Sequence, residues 1–330
     1  MPELRTDPLT GRQVLFAGNR AGRPNEFVAS QVPQGSDGSP QSDCPFCPGN
    51  ESQNPTPNLI QQDNGGEWQI RVVPNKYPSV TAVGSATNDE YQGGHEVLIE
   101  TRRHINRTSQ LSLRELADVL RVYAMRLADW REEGRFPYRL LFKNVGPAAG
   151  ASLNHLHSQV ITLPDVPPLF AAELQNLEAQ GGTPWQDWLD ALRADGGLIL
   201  AEQDGIVACC PPVSRQTYET WLMPKVAQPY YEDLLSTPEK FSTLAALLHP
   251  VTQFIENQLG ADYNMMIYTA PLITGADSYF HWRIEIVPRT GSIAGFELPT
   301  NMFVNTLAPD HAAQQLRSAI NQQVATSVTN

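Results

Sequence analysis

The chain has 330 residues, 41% of them hydrophobic, and a formal net charge of −12 at pH 7. This acidic charge argues against binding along a nucleic-acid backbone, which needs a basic surface. No apolar run approaches the roughly 20 residues that span a bilayer, which argues against a membrane protein. The polar start MPELRTDPLTGR lacks the apolar core of a signal peptide, so we expect a cytoplasmic protein. The length allows two domains of ordinary size.

The first motif along the chain is CPFC, which places Cys44 and Cys47 three positions apart. This spacing is half of a tetrahedral zinc site and requires two further ligands. In a chain without a signal peptide, it favours metal or redox chemistry over a structural disulfide. The other two cysteines, Cys209 and Cys210, lie in the apolar run GIVACC and are expected to be buried strand thiols.

Two helices are predicted from apolar residues at helical spacing. The first begins at Ser112, which forms a capping box with Glu115, and it ends before Gly134. The second is predicted over residues 237–260, with a kink at Pro250.

The segments that follow the two helices are alike. YRLLFKNVGPAAGASLNHLHSQVITLP and YNMMIYTAPLITGADSYFHWRIEIVP both predict a strand, a loop and a strand. His157 stands seven residues before Pro164, and His281 stands seven before Pro288. Because the segments before the helices also match, we interpret the chain as a duplicated strand–strand–helix–strand–strand unit. The predicted fold class is α+β, with antiparallel sheets and helices packed on one face.

Residues 166–200 separate the two halves and are predicted to form a polar linker with one short helix. We therefore predict two domains, residues 1–165 and residues 166–330.

The strand after the first loop carries His155, His157 and Gln159, which share one face because strand residues two apart point the same way. A solvated polar face is the alternative, but the apolar continuation VITLP argues against it. One histidine would bind metal with the cysteine pair, and either His95 or His104 would supply the fourth ligand. The other histidine would act as a nucleophile on phosphorus, with Gln159 donating to a phosphoryl oxygen.

The preceding segment NVGPAAGAS is expected to bring backbone amides close to this face, as phosphate-binding loops do. The second half has a different set of side chains at the matching positions: Tyr279, His281 and Arg283. The first copy is therefore predicted to carry the chemistry, and the second copy to support it.

The order of motifs resembles the galactose-1-phosphate uridylyltransferase family of the histidine triad superfamily, close to the branch that includes plant ADP-glucose phosphorylase. The resemblance covers nearly the whole chain and rests on several segments: DPLTGRQVLFAGNRAGRP, CPFCPG, RVVPNKYP, HEVLIETRRH, NVGPAAGASLNHLHSQ, HWRIEIVPR and GFE. It implies two histidine-triad-like domains. It also implies a homodimer.

The family pattern implies that His157 is the residue that becomes nucleotidylated and that Gln159 binds phosphate. It implies zinc as cofactor, bound by Cys44, Cys47, His104 and His155. Substrate contacts are implied for six further residues: Arg20, Arg23, Asn75, Asn144, Ser152 and Glu297. In family dimers the two arginines reach the phosphates in the neighbouring subunit's site.

The expected reaction moves a nucleoside monophosphate from a nucleotide sugar to a hexose 1-phosphate. The main prediction is a UDP-glucose–hexose-1-phosphate uridylyltransferase of galactose metabolism. The alternative is an ADP-glucose phosphorylase with inorganic phosphate as acceptor, and a third hypothesis is a zinc-stabilised nucleotide-binding protein without turnover. One departure weakens the galactose assignment, because no lysine stands just before GFE. In a second departure, Glu285 and Val287 replace the histidine pair of a second metal site, which is expected to be absent.

Overall fold

The structure, a computed structural model, describes residues 2–22, 36–62, 65–82 and 91–328. Arg23, one of the predicted substrate contacts, lies outside these residues. No helix in the described ranges is both long and apolar enough to cross a membrane.

The described residues form strands and helices in the following order along the chain. The strands are β1 (Glu3–Thr6), β2 (Gln13–Phe16), β3 (Leu59–Gln62), β4 (Trp68–Pro74), β5 (His95–Ile99), β6 (Tyr138–Val145), β7 (His157–Leu163), β8 (Ile199–Gln203), β9 (Ile206–Cys209), β10 (Thr220–Pro224), β11 (Tyr263–Tyr268), β12 (Arg283–Pro288) and β13 (Phe303–Asn305). The helices are α1 (Leu113–Glu133), α2 (Pro168–Gln180), α3 (Pro184–Asp195), α4 (Glu239–Gln253), α5 (Ala276–Tyr279), α6 (Glu297–Thr300) and α7 (Pro309–Val328).

A ten-stranded sheet, hereafter the large sheet, dominates the fold, with the order β3-β4-β5-β7-β6-β11-β12-β10-β9-β8. Each half contributes five strands. Counted inward from the outer edge, they are β3-β4-β5-β7-β6 in the first half and β8-β9-β10-β12-β11 in the second, which is the same order along the chain. The halves meet where β6 pairs antiparallel with β11. The predicted duplication is therefore visible in the topology. Each copy has three strands before its helix, one more than predicted. The predicted division after residue 165 falls between β7 and α2 and stays a prediction, since the sheet is continuous.

The helix predictions are largely confirmed. Ser112 caps α1 through the predicted capping box, in which Ser112 Oγ accepts from the Glu115 N–H at 3.2 Å. Gly134 ends the helix with φ +67°. The regular part of α4 stops at Gln253, three residues after Pro250, and the chain continues as a π-helical turn over Phe254–Gln258. Proline removes a helical N–H, which fits the predicted disruption.

Helices cover both faces of the large sheet in its second half. Ile206 and Ala208 of β9 pack in the same core as α1 and α4, whereas Val207 and Cys209 pack with α2 and α3. Because strand residues alternate between faces, α2 and α3 lie on the face opposite α1 and α4. The prediction of a polar linker with one short helix is wrong. The segment forms two helices whose apolar side chains are buried: Phe170, Leu174, Leu177, Trp185, Leu189 and Leu192.

On the corresponding face of the first half, no such helix pair appears among the described residues. Val97 and Ile99 of β5 pack instead against Cys44, Phe46 and Cys47. The duplicated units therefore present the same face of one sheet to different surroundings. In the first half the face is left accessible for side chains of the predicted site.

A small sheet joins the two ends of the chain, because β2 pairs antiparallel with β1 and parallel with β13. Its apolar side chains Val14 and Phe16 pack against Val213 of the second half. Next to this small sheet lie Arg20, in the short 3-10 turn Gly18–Gly22 that follows β2, and the short helix α6, which precedes β13.

Candidate active site

Four side chains form a compact cluster beside β7: Cys44, Cys47, His104 and His155. Their ligand atoms all lie within 4.8 Å of one another, and all four residues are buried. Nδ1 of His155 lies 3.5 Å from Cys44 Sγ and 3.6 Å from Cys47 Sγ, and Nδ1 of His104 lies 3.3 Å from Cys47 Sγ. Tetrahedral zinc with bonds of about 2.0–2.3 Å separates its ligands by about 3.5 Å, so the spacing fits.

The hydrogen bonds around the cluster also fit a metal. His155 Nε2 lies 2.8 Å from the Thr101 carbonyl, to which it donates, so that Nδ1 keeps its lone pair toward the sulfurs. Burial lowers the pKa of His155 to about 4, which keeps the imidazole uncharged. Burial raises the pKa of Cys44 to about 11. A bound cation would displace the thiol proton and leave the thiolate that ligates metal.

His157 lies at the start of β7 and is 8% exposed. Its Nδ1 lies 2.7 Å from the carbonyl oxygen of His155, to which it donates, so the Nε2 lone pair is available for attack. Burial lowers the pKa of His157, which favours the uncharged imidazole. The loop of residues 44–47, hereafter the cysteine loop, contacts this residue through Phe46, whose ring centroid lies 5.4 Å from that of the His157 imidazole, with the two rings tilted. The arrangement suits a nitrogen nucleophile.

A cavity of about 320 Å³ opens next to His157. Gln159, Asn75 and Ser152 line it with polar groups, and much of the remaining wall is apolar: Pro45, Phe46, Pro55, Val73, Pro74, Tyr77, Val97 and Leu153. Apolar walls with a few placed polar groups are typical of small-molecule sites. The cavity therefore offers a place for a ligand between a nucleophile and hydrogen-bond donors.

The loop between β6 and β7 is anchored by the second half of the chain. Gly146 has φ +83°, and a Cβ there would lie 1.9 Å from Oδ1 of Asp262, so only glycine fits. Asp262 Oδ2 accepts from the N–H of Ala148 at 2.7 Å, and its Oδ1 accepts from Arg107 at 3.2 Å. Asn264 donates from Nδ2 to Asn144 Oδ1 at 2.8 Å.

This anchoring corrects one expectation about the loop. The backbone N–H groups of residues 148–151 all have protein acceptors: Asp262 Oδ2, the Gly146 carbonyl, the Pro147 carbonyl and again the Gly146 carbonyl. These amides are therefore not free to cradle a phosphate. The side chains near His157 are instead those of Asn144, at the end of β6, and Ser152, in the loop. Asn144 and His157 share the wall of a small recess.

In the second half, the buried side chain of Arg283 occupies the position that corresponds to Gln159 in the first half. In the sheet register, Arg283 of β12 lies opposite Tyr268 of β11, as Gln159 of β7 lies opposite Phe142 of β6. His281 is bonded at both ring nitrogens, accepting from the Gln228 N–H at 2.8 Å and donating to the Pro224 carbonyl at 2.9 Å. It therefore has no free nitrogen for attack.

Comparisons with known proteins identify relatives over nearly the whole chain. Residues 69–328 match the model of a family described as a domain of unknown function, DUF4921. ADP-glucose phosphorylase of Arabidopsis thaliana is 32% identical over 330 residues, which cover 96% of this chain and 92% of that protein. Galactose-1-phosphate uridylyltransferase of Thermotoga maritima is 24% identical over 346 residues, covering 96% and 98%.

Solved structures show the same fold. A crystal structure of an Arabidopsis thaliana ADP-glucose phosphorylase with bound ADP-glucose matches with a TM-score of 0.81, 29% identity and coverage of 96% of this chain and 99% of that one. A uridylyltransferase structure matches with a TM-score of 0.71, 25% identity and coverage of 98% and 99%. The chain belongs to the galactose-1-phosphate uridylyltransferase family. It is an enzyme of the nucleotidyltransferase type, and it fits the branch that resembles ADP-glucose phosphorylase.

The predicted family site residues fall into two groups in the described structure. His157, Gln159, Asn75, Asn144 and Ser152 lie together around the cavity and its recess. Arg20 is exposed and Glu297 is half-buried; both belong to the region of the small sheet, and neither lines the cavity. Within one chain, the described structure therefore does not bring these two residues to His157.

Sequence reasoning missed the residues that support this family site from outside the motifs. Asp262 and Asn264 come from the second half, and Arg107 from the segment before α1. The glycine at position 146 was the available signal, because an obligatory glycine indicates that another group approaches the backbone closely.

Glu285 is one of the two residues that the resemblance to the family places at a second metal site. Its carboxylate is paired with three guanidinium groups: Arg283 at 2.7 Å, Arg12 at 3.5 Å, and Arg215. Arg283 is fully buried and also forms two bonds to Glu173, at 2.8 and 3.0 Å. Fixed positive charge thus balances these carboxylates.

Replacing Arg283 with methionine is expected to lower the free energy of unfolding by about 3–5 kcal/mol, because Glu173 and Glu285 would stay buried with less compensation. Urea denaturation followed by tryptophan fluorescence measures this, since Trp185 and Trp221 lie 5.1 and 5.2 Å from the guanidinium. Arg193→Met, which breaks an exposed ion pair with Glu202, is the control and should cost at most about 1 kcal/mol. Equal losses in the two variants would contradict the prediction.

Proposed function

We propose that the protein transfers a nucleoside monophosphate from a nucleotide sugar to a phosphate acceptor through a covalent intermediate on His157. The observation that carries the proposal is the hydrogen bonding and position of this imidazole. Its Nδ1 is held by the His155 carbonyl at 2.7 Å, and it faces a cavity that Gln159 also lines. A purely nucleotide-binding protein has no need for a nucleophile held in this way.

The chemistry follows from the positions of these groups. Nε2 of His157 attacks the α-phosphorus, a P–N bond forms, and the bond from phosphorus to the oxygen of the sugar phosphate breaks. The Nδ1–H bond to the His155 carbonyl stabilises the positive charge that the ring gains. The amide of Gln159 donates to a phosphoryl oxygen as negative charge develops there. In the second half-reaction, an oxygen of the acceptor phosphate attacks the same phosphorus, and His157 is regenerated.

Two donor–acceptor pairs are candidates. The 32% identity and the TM-score of 0.81 with ADP-glucose phosphorylase favour ADP-glucose with inorganic phosphate as acceptor. The absence of a lysine before Gly295 points the same way. The uridylyltransferase relatives support UDP-glucose with a hexose 1-phosphate, as in galactose 1-phosphate uridylylation.

Incubation with ADP-glucose and UDP-glucose separately, followed by mass spectrometry of the intact chain, tests the proposal. We expect one nucleotide per chain on His157 with one of these donors, and its release by inorganic phosphate or by a hexose 1-phosphate identifies the acceptor. Failure to form an adduct with either donor would contradict the proposed function.

The cluster of Cys44, Cys47, His104 and His155 is proposed to hold one zinc ion. Bound there, zinc would serve as a structural cross-link, because all four positions of a tetrahedral ion are taken by protein atoms. The cluster ties the cysteine loop to the residue two positions before His157. Its proposed role is therefore to fix the start of β7.

We also propose a cytoplasmic homodimer in which each site is completed by the partner chain. Lys76 is the one Lys or Arg among the described residues that line the cavity, although a nucleotide sugar carries two phosphates. Arg20 is exposed at the end of the small sheet, where a second chain can be reached. Arg20 and His157 both belong to the predicted domain of residues 1–165, so this domain would contribute to both sites of the dimer.

Co-expression of an Arg20→Ala chain with a His157→Gly chain tests the shared site. Half of randomly formed dimers are hybrids with one complete site, so about a quarter of the wild-type activity is expected although each parent is nearly inactive. Size-exclusion chromatography with light scattering checks the dimer. A monomer active at all concentrations, or hybrids with no recovered activity, would contradict a shared site.

A further inference from the structure

Gln159 lies on β7 beside a histidine that the proposed chemistry does not use. His95 begins β5, and the ladder pairs it with Ile161 and pairs Val97 with Gln159. His95 and Gln159 are thus diagonal neighbours on one face of adjacent strands, within reach of each other. Nε2 of His95 lies 2.8 Å from Oε1 of Gln159. The contact concerns the side chain that is proposed to donate to phosphate.

The tautomer of His95 follows from its other nitrogen. The backbone N–H of Ser79 points at Nδ1 of His95 at 3.1 Å, and a backbone N–H is only a donor. Nδ1 must therefore accept, and a neutral ring then carries its proton on Nε2. Burial lowers the pKa of His95, in keeping with a neutral ring. The group facing Gln159 is consequently a donor, and the atom it meets must be the amide oxygen.

The contacts of Asn75 independently give the same orientation for the Gln159 amide. The backbone N–H of Tyr77 donates to Oδ1 of Asn75 at 2.9 Å, which turns the Asn75 amide nitrogen toward Gln159. That nitrogen lies 3.3 Å from Oε1 of Gln159. Two donors, each oriented by a backbone N–H, therefore converge on one amide oxygen. The remaining end of the Gln159 amide is its NH₂ group, on a side chain that lines the cavity.

We propose that His95 is a positioning residue that locks the Gln159 amide with its NH₂ group toward the cavity. An amide free to rotate would present its oxygen to the ligand part of the time, and an oxygen repels the phosphoryl oxygens that the NH₂ group attracts. His95 acts through Gln159 and not on the ligand. The inference rests on the proposed function for its kinetic consequence, but the orientation itself is a property of the free protein.

The test uses two neutral replacements of equal length. In His95→Gln the side-chain amide supplies an N–H in place of Nε2–H, whereas His95→Met removes the donor. Gln159→Ala removes the donor itself and is expected to slow His157 nucleotidylation in a single turnover about a hundredfold to a thousandfold. His95→Met should cause part of this loss, about tenfold to a hundredfold, and His95→Gln should stay within about threefold of wild type. In a Gln159→Ala background, His95→Met should have no further effect, because the group it orients is gone.

A separate measurement does not depend on turnover. Nitrogen-15 NMR of the labelled free protein, with the His95 signal identified by its loss in His95→Gln, should show the tautomer protonated at Nε2. The Nδ1-protonated tautomer, or a full additional loss from His95→Met in the Gln159→Ala background, would overturn the inference. If the wild type forms no adduct with any donor, the proposed function fails. The tautomer of His95 then still tests the orientation of the Gln159 amide.

Discussion

Replacing His157 with glycine is expected to abolish nucleotidyl transfer while leaving the fold intact. Removal of the nucleophile eliminates the covalent route, so the rate should fall by about a thousandfold or more, equivalent to more than about 4 kcal/mol of barrier. The measurements are the steady-state rate with nucleotide sugar and acceptor, the intact mass after incubation with donor, and circular dichroism. In the wild type, the adduct should be stable in alkali and labile in acid, as expected of a phosphorus–nitrogen bond.

His281→Ala is the matched control for this experiment, because His281 occupies the equivalent position in the second half. Both of its ring nitrogens are bonded to the backbone, at Gln228 and Pro224. The adduct rate per folded molecule should therefore stay within a few-fold of wild type. Retention of the adduct in His157→Gly, or its loss in His281→Ala, would contradict the assignment of the active site to the first half of the chain.

The second large effect is expected from loss of the metal. Purified protein should contain one zinc per chain, and Cys47→Ser should lose it, together with most of the activity. Structural zinc contributes on the order of 10 kcal/mol to the folding of small zinc domains. Even a part of this should lower the melting temperature by about 10 °C or more.

Metal analysis by mass spectrometry and differential scanning calorimetry provide the readouts. Cys209→Ala is the control, since Cys209 is a buried thiol on β9 outside the cluster, and it should keep its zinc. Metal-free protein with wild-type activity and an unchanged melting temperature would refute the zinc site.

Local patterns predicted much of this structure. The capping box of Ser112 and Glu115 fixed the start of α1, because both partners lie within one helical turn. The equal spacing of His157 and His281 from their prolines identified equivalent strands, and Cys209 and Cys210 are buried as expected. The spacing of Cys44 and Cys47 indicated a metal site. Each of these signals depends on residues that lie close together in the sequence.

Features that depend on distant partners were not predictable in this way. Helices α2 and α3 are stabilised by packing on the sheet, and a buried carboxylate such as Glu173 looks like a surface residue until Arg283 is placed beside it. From its spacing in the sequence His95 is a candidate metal ligand, and the sequence does not reveal that Ser79 supplies a donor to its ring. Asp262 likewise reaches Gly146 only after the halves have joined.

The antiparallel pairing of β6 with β11 has a consequence for how such a chain could arise. The two strands are equivalent members of the two copies, so a half-length protein would end in a bare edge whose N–H and C=O groups fit a second copy of itself. Such an ancestor would have been a symmetric pair with two identical reactive faces. Once fused, the copies could diverge: one face now carries the half-buried Gln159, and the equivalent position of the other carries the fully buried guanidinium of Arg283.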